Sequence, residues 1–274
     1  MKTIIRALTR YASYIKKSLW TIITLSDRID NLETQLKITT SVKDRKFTFY
    51  YDGKEITLFL PLVGYDAIQN MIVRTGTFFE IELLRKASKY IPKNAVIADC
   101  GCNIGNHSVF FAKMCTARKV ISFDPQDICA STCAKNMALN NVSDKSVVIQ
   151  KAIGKEAGFM SVLHELPGNC GATRFKTDNA GTIPVITIDS LKLEELDFMK
   201  IDIEGGQLDL LLGAKQTLDK LHPTIWIELL EYDGSSCYDR EIEITAPLKT
   251  LNELGYTMTE QIGEDNYIFT YTNP

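Results

Sequence analysis

The sequence predicts an α/β fold built on a doubly wound, mostly parallel sheet. Three observations carry that prediction. After Pro92, short apolar strands alternate with helical stretches; a turn holding Gly101 and Gly105 joins the first of these strands to the first helix; and acidic residues stand at strand ends, at Asp99, Asp124 and Asp202. Strands separated by helices pair in parallel through right-handed crossovers, and ligands of such sheets lie at the carboxyl edge.

In chain order, residues 3 to 38 hold no Gly or Pro, and Leu19, Ile22, Leu25, Ile29, Leu32 and Leu36 step by three and four, as on an amphipathic or coiled-coil helix. This stripe is expected to pack on the chain's own globular part or on a second subunit, which would make a homo-oligomer through the N-terminal helix. Its first half carries Lys2, Arg6, Arg10, Lys16 and Lys17 and no acid, an asymmetry that permits peripheral contact with an anionic membrane. Lys16 and Lys17 interrupt the apolar run, and no cleavage-site pattern follows Leu25. Neither a transmembrane span nor a signal peptide is expected.

From Lys46 to Leu60, alternating runs flank Asp52-Gly53 and predict a β-hairpin. Helices are expected over Asp66 to Arg74 and Glu80 to Ile91, ended by Pro92. Strands follow at Val96–Asp99, Val120–Asp124, Val147–Lys151, Phe198–Ile203 and Thr224–Glu228, with helices at His107–Met114 and Gln126–Asn140. A closing hairpin is expected from Tyr256–Ile262 and Asn266–Tyr271. The organisation expected is an N-terminal helix (1–40), a hairpin and helical cap (41–92) and the α/β domain (93–274). The stretch from Gly154 to Pro184 is either an acceptor-facing loop or a surface hairpin.

A formal net charge of −3 and a pI near 5.7 lack the basic balance that a phosphate backbone would favour, so no nucleic-acid partner is expected. Seven cysteines, an odd number scattered through apolar segments, are expected to be reduced, which places the chain in the cytoplasm, with membrane association through the first helix as the variant. Cys100 with Cys102 and Cys129 with Cys133 lack a second ligand pair at zinc-site spacing, so no metal is expected.

Chemistry concentrates at two places. In Asp99-Cys-Gly101-Cys-Asn103-Ile-Gly105, glycines let the backbone turn and approach a ligand. A dinucleotide fingerprint would want Gly at 103, where Asn stands. A carboxylate at Asp99 suits an amino group and repels a diphosphate, and Asp124, at the tip of the next strand, stands where a ribose diol is held. An aminoacyl end and a ribose end together describe S-adenosylmethionine, with Asp99, Gly101, Asn103, Gly105 and Asp124 as its binding residues. The second place is Lys200-Ile-Asp202-Ile-Glu204, three charges at alternate positions, expected on one strand face. Asp202, Glu204 and Lys200 are the expected catalytic set. Asp202 would hold an acceptor hydroxyl and take its proton late in methyl transfer. Oxygen is favoured over nitrogen because no Pro-Pro-aromatic clamp follows that strand. His107, Glu228 and Asn169 are candidate acceptor contacts, and Asp189 is a candidate support.

At these residues the chain resembles the FkbM family of methyltransferases. The resemblance rests on Asp99, Gly101, Asn103 and Gly105; Asp124-Pro125; Lys200, Ile201, Asp202, Glu204 and Gly205; Glu228; Asn136 and Asn140; and Thr187-Ile-Asp189-Ser-Leu. It departs at Cys102, where the family favours a small residue, and at Asp124, where Glu is usual. It implies a Rossmann-like class I methyltransferase with a mostly parallel seven-stranded sheet and helices on both faces. It also implies O-methylation, often of sugar hydroxyls in glycans or glycolipids. A small hydroxylated metabolite is the alternative acceptor, and a catalytically silent S-adenosylmethionine-binding subunit the alternative role.

Overall fold

A computed structural model describes residue 16 and residues 25–230 and 239–272. A helix over 25–41 (α1) leads into the short strand β1 (Val42–Lys43) and the hairpin of β2 (Lys46–Tyr51) and β3 (Lys54–Phe59). Asp52 and Gly53 both take positive φ at its tip, the geometry that suits the twist of the two strands. Helices α2 (Ala67–Thr75) and α3 (Ile81–Ala87) follow. Asp66 caps α2 by accepting from the Gln69 amide.

The central domain runs β4 (Val96–Cys100), α4 (Asn106–Lys113), β5 (Lys119–Phe123), α5 (Asp127–Leu139), β6 (Ser146–Ile149), β7 (Ala152–Ile153), β8 (Gly158–Leu166), β9 (Asn169–Thr177), β10 (Ile183–Ile186), β11 (Phe198–Ile201), α6 (Gln207–Leu212), α7 (Lys215–Leu221), β12 (Thr224–Glu228), α8 (Ala246–Glu253), β13 (Tyr256–Gln261) and β14 (Asn266–Tyr271). Seven strands form the main sheet in the order β13-β14-β12-β11-β4-β5-β6. Five pair in parallel; β14 and β13 close the edge antiparallel. The order reverses between β4 and β11, which opens a crevice at the carboxyl ends of those two strands. This is the doubly wound fold expected from the alternating elements.

Two apolar cores lie on the sheet's two faces. One joins Phe47, Ile56, Leu58, Ile72, Phe78 and Leu84 to Phe110 and Phe111 of α4, so residues 41–92 share a continuous core with the α/β domain. The other joins the opposite sheet face to Leu210, Leu211, Leu218 and Leu251 of α6, α7 and α8. Asn136 and Asn140 complete the hairpin. Asn136 accepts from the Phe59 amide (2.6 Å) and donates to its carbonyl (3.2 Å), and Asn140 does the same at Thr57 (3.1 and 2.7 Å). Four residues of helix climb about 6 Å, close to the ~7 Å spanned by two residues of strand, so the two amides satisfy the free edge of β3 as a neighbouring strand would.

Several expectations need correction. Leu25, Ile29, Leu32 and Leu36 do not pack on the chain's own globular part: they are exposed, and α1 docks by its other face, with Thr34 buried. Leu19 and Ile22, and the basic residues from Lys2 to Arg10 with Lys17, lie outside the described residues. The strand expected to reach Ile203 stops at Ile201, because the chain turns toward α6 at Asp202. Residues 154–184 form a hairpin, β8 and β9, in a small sheet with β7 and β10, and both strands of the hairpin also wall the crevice. Asp189 supports no charge near β11. It caps α7, accepting from the Gln216 and Thr217 amides. No helix among the described residues is long and apolar enough to cross a membrane.

Candidate active site

A crevice opens at the β4/β11 switch. Gly101, Asp124, Gln126, Asp202, Ile203, Glu204 and Gly206 line it, and Met160, Gly171, Thr173 and Phe175 close it from the β8–β9 hairpin. The hairpin is stitched in place: Gln126 Nε2 donates to the Cys170 carbonyl (2.9 Å), and the Cys170 amide to Asp66 Oδ2 (3.1 Å). The buried pair of Arg174 with Glu243 ties it to the segment before α8.

The turn after β4 takes positive φ at Gly101, Asn103 and Gly105. Gly101 is required twice over, because a Cβ there would overlap the Asp202 carbonyl. A Cβ on Gly105 would instead meet Cys133, so that glycine serves the packing of α4 on α5 and does not line the crevice. Asn103 occupies a left-handed slot that Asn tolerates. Cys102, the other departure from the family pattern, is a buried packing residue, and the six described cysteines are unpaired.

Asp124 sits in the crevice where the ribose-binding acid was expected. It accepts from the Asn103 and Gln126 amides (3.0 and 2.9 Å). Burial pushes its carboxyl up to about 7, against those two hydrogen bonds. Asp99, expected at an amino group, does not line the crevice. It is fully buried, accepting from Ser108 Oγ (2.6 Å) with Lys200 Nζ 3.8 Å away.

Lys200 is also buried, and its ammonium donates to Asp202 Oδ2 at 2.8 Å. Burial opposes its charge, but Asp202 and Asp99 flank it and hold its pKa above the ordinary lysine value. Burial would raise Asp202 as well; the ammonium overrides it and keeps Asp202 below the carboxylate norm. Glu228 meets the opposite fate. Burial and the adjacent Asp202, to which it is hydrogen-bonded, push it well above the ordinary glutamate value. Oxygens of Asp202, Glu204 and Glu228 lie within 4.8 Å of one another, a spacing that an ion could bridge. The expected alternation of Lys200, Asp202 and Glu204 on one face fails past the end of β11, since Asp202, Ile203 and Glu204 all line the crevice.

His107 is no exposed helix-end residue. It is buried against Trp226, with its ring centroid 5.4 Å away and Nε2 3.4 Å from Glu80 Oε2. Burial, with Lys200 nearby, drops it to about 3, so the imidazole is neutral. Glu80, raised to about 7 by burial and by Asp202, completes this polar wall behind the crevice. Asn169 does not line the crevice either; its Oδ1 accepts from the Gly171 amide (3.1 Å) and shapes the start of β9. Sequence reasoning missed Glu80, Gln126, Met160, Phe175 and Glu243. Glu80 at the positive-φ N-cap of α3 carries no motif, and the others reach the site through tertiary packing.

Residues 99–258 match the Methyltransferase FkbM domain, more than half of the chain. The chain belongs to the FkbM methyltransferase family. Among its relatives, methyltransferase sdnD of Sordaria araneosa is 23% identical over 180 residues, 53% of this chain and 70% of that one. The 2-O-methyltransferase NoeI of Sinorhizobium fredii is 25% identical over 179 residues, 57% of this chain and 70% of that one. A solved FkbM methyltransferase from Methylobacillus flagellatus KT superposes with a TM-score of 0.46 and 14% identity over 90% of this chain. This chain spans 60% of that structure's length. The matched span holds the turn at Gly101, Asp124 and the Lys200–Asp202 pair.

Proposed function

We propose that this methyltransferase uses S-adenosylmethionine bound in the crevice to methylate a hydroxyl, most simply that of a sugar in a glycan or glycolipid. The observation that carries this reading is that Gly101, Asp124 and Asp202 line one crevice at the carboxyl ends of β4, β5 and β11. The residues fit the donor: Gly101 leaves backbone open to close approach, and Asp124 retains acceptor capacity beyond its two amide bonds. S-adenosylmethionine supplies an already activated methyl group, so the protein's task is alignment and exclusion of water.

Asp202 does the rest. Held ionised by Lys200, it orients the acceptor hydroxyl and takes its proton as methyl transfer makes that proton acidic. Lys200 and Asp99 position Asp202 from behind. Glu228, hydrogen-bonded to Asp202, keeps it aimed. Met160, Phe175 and Ile203 supply apolar surface that dries the crevice. Oxygen as the acceptor atom is supported by Ile203-Glu204-Gly205 standing where an amine or nucleobase clamp would be, and by the similarity to NoeI, a 2-O-methyltransferase.

Calorimetric titration with S-adenosylmethionine, S-adenosylhomocysteine and NAD tests the donor. Binding of the first two with no response to NAD is expected; binding of NAD alone would end this reading. Turnover with saccharide acceptors, followed as S-adenosylhomocysteine release, tests the acceptor. Activity confined to small hydroxylated metabolites would replace the glycan.

A further inference from the structure

We propose that α1 pairs with α1 of a second copy of this chain as a parallel two-stranded coiled coil. Leu25, Ile29, Leu32 and Leu36 are 49%, 54%, 70% and 65% exposed, and they follow the four-three-four step of a heptad seam. The opposite side of the helix is already used. Thr34 is buried, Lys37 Nζ donates to the Arg74 carbonyl (2.5 Å), and Asp30 pairs with Arg74 (3.5 Å). With Ile29 and Leu36 at heptad positions a and Leu25 and Leu32 at d, Thr34 falls at f, the position facing directly away from the seam. The globular part therefore grips the back of α1 and leaves its seam facing outward.

The residue types choose the occupant. Ile29 at a between Leu25 and Leu32 at d is the combination that favours two parallel strands. Arg28 falls at g and Glu33 at e. In a parallel pair, g of one helix meets the e residue five positions further along the other, so Arg28 meets Glu33 twice by symmetry. An antiparallel pair would set Arg28 against Arg28 and Glu33 against Glu33. Upstream in the sequence the same step continues through Ile22, Ser18, Ile15, Tyr11, Leu8 and Ile4. Arg28 and Glu33 are the charges that flank the described seam and they balance, which favours a protein partner over an anionic lipid surface.

Sedimentation equilibrium of the full chain across micromolar concentrations tests this. A dimer is expected. I29D/L32D is expected to be monomeric with an unchanged melting temperature, because neither side chain packs on its own fold. R28E and E33R should each weaken the dimer about tenfold, and R28E/E33R should restore it. A monomeric wild type would overturn the proposal, as would a dimer that survives I29D/L32D. Failure of the double charge swap to recover would overturn the parallel arrangement. Sedimentation of a monomeric wild type with phosphatidylserine vesicles, lost in I29D/L32D, would assign the seam to lipid and overturn it too.

Discussion

Lys200 Nζ donates to Asp202 Oδ2 at 2.8 Å from a position buried beneath the crevice floor, with Asp99 3.8 Å behind it. One ammonium thus stands between two carboxylates, and Asp202 reaches the crevice already ionised. Asp202→Asn should remove turnover by at least about a hundredfold while leaving the dissociation constant for S-adenosylhomocysteine within a few-fold. Full activity in that variant would remove Asp202 from the reaction. Lys200→Met should cost about 3–5 kcal/mol in urea unfolding, because it strands the buried Asp99 carboxylate, and the half-buried Asp202, without their cation.

Asp124 bears on donor binding and its pH dependence. Its carboxyl, raised to about 7 by burial, is substantially protonated in the free protein near neutrality. Ribose hydroxyls donating to it favour the ionised form and lower that pKa, so binding should release a proton and tighten as pH rises through 7. Calorimetry in two buffers of different ionisation enthalpy measures the release. Asp124→Asn should abolish it and weaken binding about tenfold or more.

Glu80 makes stability depend on pH. Its folded pKa, about 7, lies above the ordinary value of 4.5, so the folded state binds the extra proton between those values. The stabilisation from that proton is present below pH 4.5 and is lost as pH rises through 7. Glu80→Gln should therefore be more stable than the wild type at pH 8, by about 1–3 kcal/mol, with the advantage vanishing toward pH 4.5. Thermal melts of both proteins across that range check it. An equal difference at both ends would show that Glu80 stays charged.

Gly101 and Gly105 should separate. Gly101→Ala drives a methyl group into the Asp202 carbonyl and should eliminate donor binding. Gly105→Ala meets Cys133 away from the crevice, so it should lower the melting temperature while the folded fraction still binds S-adenosylhomocysteine. Calorimetry on the folded variants reads the difference.

Both glycines looked alike in the motif, yet only one borders the crevice, and this marks how far the sequence was legible. Alternating apolar runs, the Asp52-Gly53 turn and the order of acids at strand ends were enough for the doubly wound sheet, the hairpin and the choice of Asp124 and Asp202. These are local signals, carried by residues a few positions apart. Asp99, by contrast, looked like a ligand group from its place at a strand end. Its burial under Ser108 and Lys200 follows from the register of β4 against β11, which pairs Asp99 with Lys200.

The sequence by itself determined the fold class, the family and the acids at the sheet's carboxyl edge, because strand period, turn chemistry and motif spacing are properties of neighbouring residues. Only the tertiary structure decided which of those acids is ionised, which is buried and which glycine meets the crevice. It also decided which face of α1 is left open. Those outcomes depend on desolvation and on partners brought in from distant elements: Glu80 from the N-cap of α3, Gln126 from the start of α5, and Phe175 from β9. No spacing along the chain encodes distances of that kind; packing sets them.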